Sequence, residues 1–97
     1  MENLYRGGYI KRDKISSALH YARIKGILRG IDERSLRSFL ESFEEVIDAR
    51  HGKFKDRIDH GEMEEIFRIL RRDHSDYVND KELQNISAIL LDKDFEF

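Results

Sequence analysis

One helix-starting pattern is written three times along this chain, and no other feature limits the fold as tightly. In the clearest copy, Ile58–Leu70 (IDHGEMEEIFRIL), Asp59 is placed to accept from the free N–H groups of a first helical turn. Glu62, three residues on, is placed to reach back to the Asp59 amide, which completes a capping box. Ile58 before the cap and Met63 in the next turn are spaced as a hydrophobic staple. Met63, Ile66, Phe67 and Leu70 then fall on one face of a 3.6-residue period. The pattern returns as Val78, Asn79, Glu82, Leu83, Ile86, Ile89 and Leu90. It also stands upstream as Ile31, Asp32, Leu36, Phe39, Leu40 and Phe43, with Ser35 in the glutamate position. Such a chain folds as amphipathic helices, and the pattern by itself names no chemistry.

Size and composition narrow the class further. Ninety-seven residues make one domain with one modest core. The chain has no Pro, so helices can run uninterrupted, and turns must rely on Gly, Asn and Asp. It has no Cys, which removes disulfides, a thiolate nucleophile and a sulfur-ligated zinc site, and suits a reducing, cytoplasmic setting. No apolar run approaches the roughly 20 residues of a membrane span, so no membrane partner is expected. The first residues, MENLYRGGYIKRDK, lack the apolar core of a secretory signal. The net charge of −2 conceals a split: residues 1–37 carry +5 and residues 38–97 carry −7. Such a split can mark a basic binding surface or simply a basic helix beside acidic ones.

The spacing predicts an all-α fold, a small four-helix domain with short connections, dimeric through its first helix. Residues 1–12, with Gly7-Gly8, read as a flexible arm, 13–91 as a single helical domain, and 92–97 (DKDFEF) as an acidic, aromatic tail. The helices are expected from Asp13 or Ser16 to Arg29, over Glu33–Arg50, from Asp59 to Arg72 and from Asn79 to Leu91. Gly30 and Gly52 are expected to end the first two in left-handed turns. Phe54 is expected to tuck under its loop as a lid on the core. The expected core is Ile24, Leu28, Leu36, Phe39, Leu40, Phe43, Ile47, Ile58, Met63, Ile66, Phe67, Leu70, Leu83, Ile86 and Leu90.

The first helix departs from the pattern. One apolar face holds His20, Tyr21, Ile24, Ile27, Leu28 and Ile31; a second, narrow and small, holds Ile15, Ala18, Leu19, Ala22 and Gly26. Ala18, Ala22 and Gly26 stand four apart, a line along which another backbone can approach closely. With the first face assigned to the core, Ile15, Ala18, Leu19, Ala22 and Gly26 become the expected contact with a second copy.

Candidate chemistry is thin. Ile58, Glu62 and Met63 match a fragment of the EF-hand loop, as do Val78, Glu82 and Leu83. Seven positions back from the isoleucine and valine, however, stand His51 and Arg71 where the first carboxylate ligand belongs. Asp56 and Asp76 stand where the sharp turn wants glycine. The histidines His20, His51, His60 and His74 form no tight ligand pair. There is no phosphate-binding glycine loop and no nucleophile elbow, and Glu41, Glu44, Glu45 and Asp48 are expected on a solvated helix side. The reading is therefore a small non-catalytic protein-interaction module (an adaptor, inhibitor or regulatory subunit) that self-associates. It needs no cofactor, no metal and no small-molecule ligand. The alternative is a nucleic-acid-binding regulator that uses Lys11, Arg12, Lys14, Arg23, Lys25 and Arg29 of the first helix on phosphates. A pI of about 6.1 and a fourth helix that is not basic weigh against that alternative.

Overall fold

The computed structural model describes residues 3–73 and 80–97. In chain order these form β1 (Tyr9–Lys11), α1 (Arg12–Ile24), α2 (Glu33–His51), β2 (Arg57–Asp59), α3 (His60–Asp73) and α4 (Asp80–Leu90), with a short 3-10 turn over Arg6–Gly8 ahead of β1. Of the expected link Asp73–Val78, Asp73 is the last residue of α3; the rest, with His74, Tyr77 and the Val78-Asn79 start of the fourth helix, lies outside the described residues.

The caps written in the sequence form. The Glu62 amide donates to Asp59 Oδ1 at 2.7 Å, and the Asp59 amide donates to Glu62 Oε1 at 3.2 Å. Ile58 and Met63, the staple pair, are both fully buried. At the start of α2 the Ser35 amide donates to Asp32 Oδ1 at 2.7 Å, and these hydrogen bonds from Ser35 hold the Asp32 carboxyl below the usual carboxylate range. Gly52, at φ 91°, ends α2.

The all-α expectation needs one correction. The described residues are mostly helical, with four helices and a two-stranded antiparallel ladder that pairs Tyr9 with Asp59, Ile10 with Ile58 and Lys11 with Arg57. Each strand has three residues and buries only its middle one, Ile10 or Ile58. On the outer face Arg57 lies over the Tyr9 ring, 4.8 Å from its centroid. Each strand runs directly into a helix, so the ladder joins the beginnings of α1 and α3.

The second correction concerns α1. It ends at Ile24, five residues before the expected Arg29. Gly26, at φ 75°, is the left-handed residue of a Schellman closure. Its amide donates to Arg23 O at 3.2 Å, and the Ile27 amide donates to Ala22 O at 2.9 Å. Ile27, Leu28 and Ile31 therefore lie beyond the helix, and the wider apolar face that included them does not exist as a helical stripe. The narrow face is the core face: Ile15, Ala18, Leu19 and Ala22 are 0–2 % exposed inside the single chain. Ile24, expected in the core, is 80 % exposed.

The chain ends are also built in. Of the expected arm, Leu4, Tyr5 and Ile10 are buried. Of the expected tail, Phe95 is buried and Phe97 half-buried, both with their rings 6.4 Å from Tyr21. The Leu4 amide donates to Phe95 O at 2.9 Å, and Asn3 bridges Glu96. Between these ends and the ladder lies one core, centred on Phe39, Phe43 and Phe67, whose ring centroids are 5.6–6.2 Å apart. Phe54 is not its lid. It stands 98 % exposed on the loop between α2 and β2.

Candidate functional site

The residues expected to meet a second copy divide between core and turn. Ile15, Ala18, Leu19 and Ala22 are enclosed by the chain itself and offer no surface, and Gly26 closes α1. Small side chains on this line let α1 sit close to its own neighbours, among them β1 and α4.

The cations of α1 and its flanks fall into two groups at opposite ends of the helix, about 20 Å apart along a 13-residue axis. At the start, Lys11 and Lys14 are exposed. Arg12 is not available to a phosphate. Its guanidinium is 2.6 Å from Asp48 and 3.0 Å from Glu44, clamping the first turn of α1 to α2. Burial opposes the Arg12 charge, but hydrogen bonds to Asp48 and Glu44 outweigh burial and hold its pKa above the ordinary arginine value. The Arg12 amide also donates to Asp56 O at 2.7 Å, fixing the loop before β2. At the far end, Arg23 reaches Ile31 O, Lys25 lies 5.8 Å from the Tyr21 ring centroid, and Arg29 donates to Gly26 O at 3.0 Å. No continuous basic stripe joins the two groups.

That far end carries a second feature. Ile24 is 80 % exposed and Ile27 is 55 % exposed, on either side of the Gly26 turn. Leu28 and Ile31, just beyond, are buried and anchor the turn to the body. The Schellman hydrogen bonds and the Arg29 contact to Gly26 O hold the two isoleucines outward in a defined shape, with the cations of Lys25 and Arg29 beside them. Sequence reasoning placed Ile24 in the core and missed this turn. The signal for it was Gly26 itself, two residues past the end of a helix whose inward stripe was already complete.

Alongside the other end of α1 runs a groove of about 730 Å³ between α1 and α2. Ile15, Leu40 and Phe43 supply its apolar lining, and Leu40, expected in the core, is only half-buried there. Glu41, Glu45 and Asp48 are among its acidic residues. Asp48 is partnered by Arg12, whereas Glu41 and Glu45 are exposed and enter no ion pair among the described residues.

The α2–β2–α3 unit has the helix–loop–helix outline of an EF-hand, and its charges are settled internally. Glu62, at the position of the last ligand, is held by Lys55 Nζ at 3.0 Å and faces His51 Nδ1 at 3.5 Å. An ammonium group thus stands beside the carboxylate that a calcium loop turns toward its cation. His51, at the first ligand position, keeps its Nε2 buried without a hydrogen-bond partner. The remaining described histidines play other parts. His60 Nε2 donates to Leu91 O at 2.9 Å, and His20 is half-buried on α1. Among the described residues, no group of three or more His, Cys, Asp or Glu side chains is arranged to hold a metal ion. Nor, among the described residues, is any helix long and apolar enough to cross a membrane.

No protein-family model, curated protein or solved structure matches the chain.

Proposed function

We propose that this chain is a small, non-catalytic protein-interaction module and that its contact surface is the turn at the end of α1, formed by Ile24, Lys25, Ile27 and Arg29. The observation that carries this reading is the pair of exposed isoleucines, 80 % and 55 % accessible, fixed outward by the Gly26 closure. Scattered exposed apolar residues are ordinary on protein surfaces. Two β-branched side chains held on one rigid turn between cations are a compact anchor. Burying each against a partner is worth about 1.5–3 kcal/mol, and little ordering entropy is lost because the turn is already formed.

Affinity capture from a lysate of the source cells tests the reading. The tagged wild-type chain is compared with Ile24→Asp/Ile27→Asp, each with and without nuclease. The wild type is expected to retain a protein that nuclease does not release and that the double variant loses. Both substitutions are on the surface, so an unchanged helical signal by circular dichroism confirms that the variant folds. Equal retention by the two chains, or loss of all retention on nuclease treatment, overturns the reading.

A further inference from the structure

Resting on that contact turn, we infer that its partner is a second copy of this chain, which receives the turn in the groove between its own α1 and α2. Three observations meet here. The turn presents Ile24 and Ile27 beside the cations of Lys25 and Arg29. The groove offers the half-buried Leu40 beside Glu41 and Glu45, two exposed carboxylates without an ion-pair partner among the described residues, while Arg37, also in its lining, pairs with Glu33 at 3.7 Å. The charge split along the sequence has the same sense, since residues 1–37, which include the turn, carry +5 and residues 38–97, which include Glu41 and Glu45, carry −7. Opposite charges facing each other across a contact fix its register and speed association.

The geometry limits the symmetry. The turn begins at the last residue of α1, whereas the groove takes Arg12, Ile15 and Ser16 from the first turns of the same helix. Donor and acceptor surfaces are different patches at opposite ends of α1. Two copies can therefore close reciprocally, each turn in the other's groove, as a two-fold dimer, or add head to tail, which leaves one free turn and one free groove at each step. In the second case growth beyond a pair follows unless a ring closes. Both differ from a two-fold dimer through the small-residue line of α1, which the core already occupies.

Sedimentation velocity on the purified chain tests it, at low and high salt over a range of concentrations. Wild type at low salt is expected to grow in mass with concentration, to the dimer or beyond it, and to fall back toward monomer at high salt, where exposed charges are screened. Lys25→Gln/Arg29→Gln removes the charges of the turn and keeps the groove; Glu41→Gln/Glu45→Gln does the reverse. Each variant alone is expected to sediment as a monomer. Mixed in equal amounts, they are expected to form a one-to-one pair and nothing larger, because only one intact turn and one intact groove remain. All four positions are exposed, and a thermal melt of each variant shows that it is folded. A wild type that stays monomeric at low salt overturns the inference. So does self-association that the variants leave unchanged, or a mixture that stays monomeric. If wild type is monomeric but lysate capture still depends on Ile24 and Ile27, the second copy is excluded and the contact turn stands. If capture is also indifferent to them, the turn itself is excluded.

Discussion

Tyr5 shows how much of this fold a single side chain holds. It sits in a segment whose Gly7-Gly8 pair reads as flexible, yet its ring packs 5.4 Å from the His60 ring and its hydroxyl donates to the carbonyl of Leu90. Leu90 ends α4, where carbonyls lack helical partners. Tyr5 satisfies one, and His60 satisfies that of Leu91. Burial first, and then the nearby charges of Glu64 and Asp59, push the Tyr5 pKa well above its ordinary value of 10.0. The folded chain therefore binds the phenolic proton more tightly than the unfolded chain. The stability this contributes is whole below about pH 10 and is lost as pH rises toward the raised folded value. Tyr5→Phe is expected to cost about 1 kcal/mol at neutral pH, through the lost hydrogen bond and the carbonyl left behind. Above about pH 10 the gap should narrow and then invert, since the variant has no proton to lose. Denaturant melts at neutral and strongly alkaline pH check this. A gap that does not change with pH would show that the hydroxyl is solvated instead of buried against α4.

At the scale of elements, the instructive case is which glycine ends α1. Gly26 and Gly30 both adopt positive φ, 75° and 79°, so the residue type alone does not decide between them. What decides is the stripe. Ile15, Ala18, Leu19 and Ala22 already complete a core face by residue 22, and the ladder, by burying Ile10, aims that face inward. Gly26→Ala is expected to cost about 1–2 kcal/mol, the ordinary penalty of a left-handed L-residue. A Cβ there meets nothing within 4 Å, so no steric term adds to it. A urea titration should show a lower midpoint with an unchanged slope; a changed slope would mean that the helix end has moved and surface has been re-exposed. The same comparison explains what was legible in the sequence. Helices α2 and α3 carry a side-chain cap, and each buries one continuous stripe, and every level of signal agrees. The β1–β2 ladder was illegible because three-residue strands with one buried residue each have no period to read. Phe54 was misplaced because apolarity alone assigned it to the core, while its neighbours Lys53 and Lys55 belong to a polar loop. The contact turn was hidden for a related reason: a wheel drawn through Arg29 gave Ile24 and Ile27 helical neighbours that the Gly26 closure takes away.

Over the whole molecule, the ends of the chain close the fold. The segment before β1 and the segment after α4 meet through the hydrogen bond from Leu4 to Phe95, the bridge between Asn3 and Glu96, and the Asn3 side-chain contact to Lys93 O at 3.2 Å. Phe95 is the apolar centre of this closure, 8 % exposed and edge-on to Tyr21 at 72°. The closure also bears on the proposed contact. Tyr21 carries Phe95 and Phe97 on its ring and has Lys25 above it, so the tail buttresses the end of α1 from which the contact turn projects. Phe95→Ala is expected to lose about 3 kcal/mol, the lower end of the range for a buried phenylalanine, because the site lies near the surface and can partly collapse. Against a total of about 5–15 kcal/mol for a small domain, that is a large share. Phe97→Ala, at a half-buried site, should lose less. Amide exchange separates local opening from global weakening. In Phe95→Ala the Leu4 amide, whose acceptor is the Phe95 carbonyl, should exchange faster by more than the global loss accounts for. The ladder amides at Ile10 and Ile58 should slow or quicken only with overall stability. Equal acceleration at Leu4 and Ile58 would show that the two ends are not a separate closing unit, but part of the same cooperative core as the ladder.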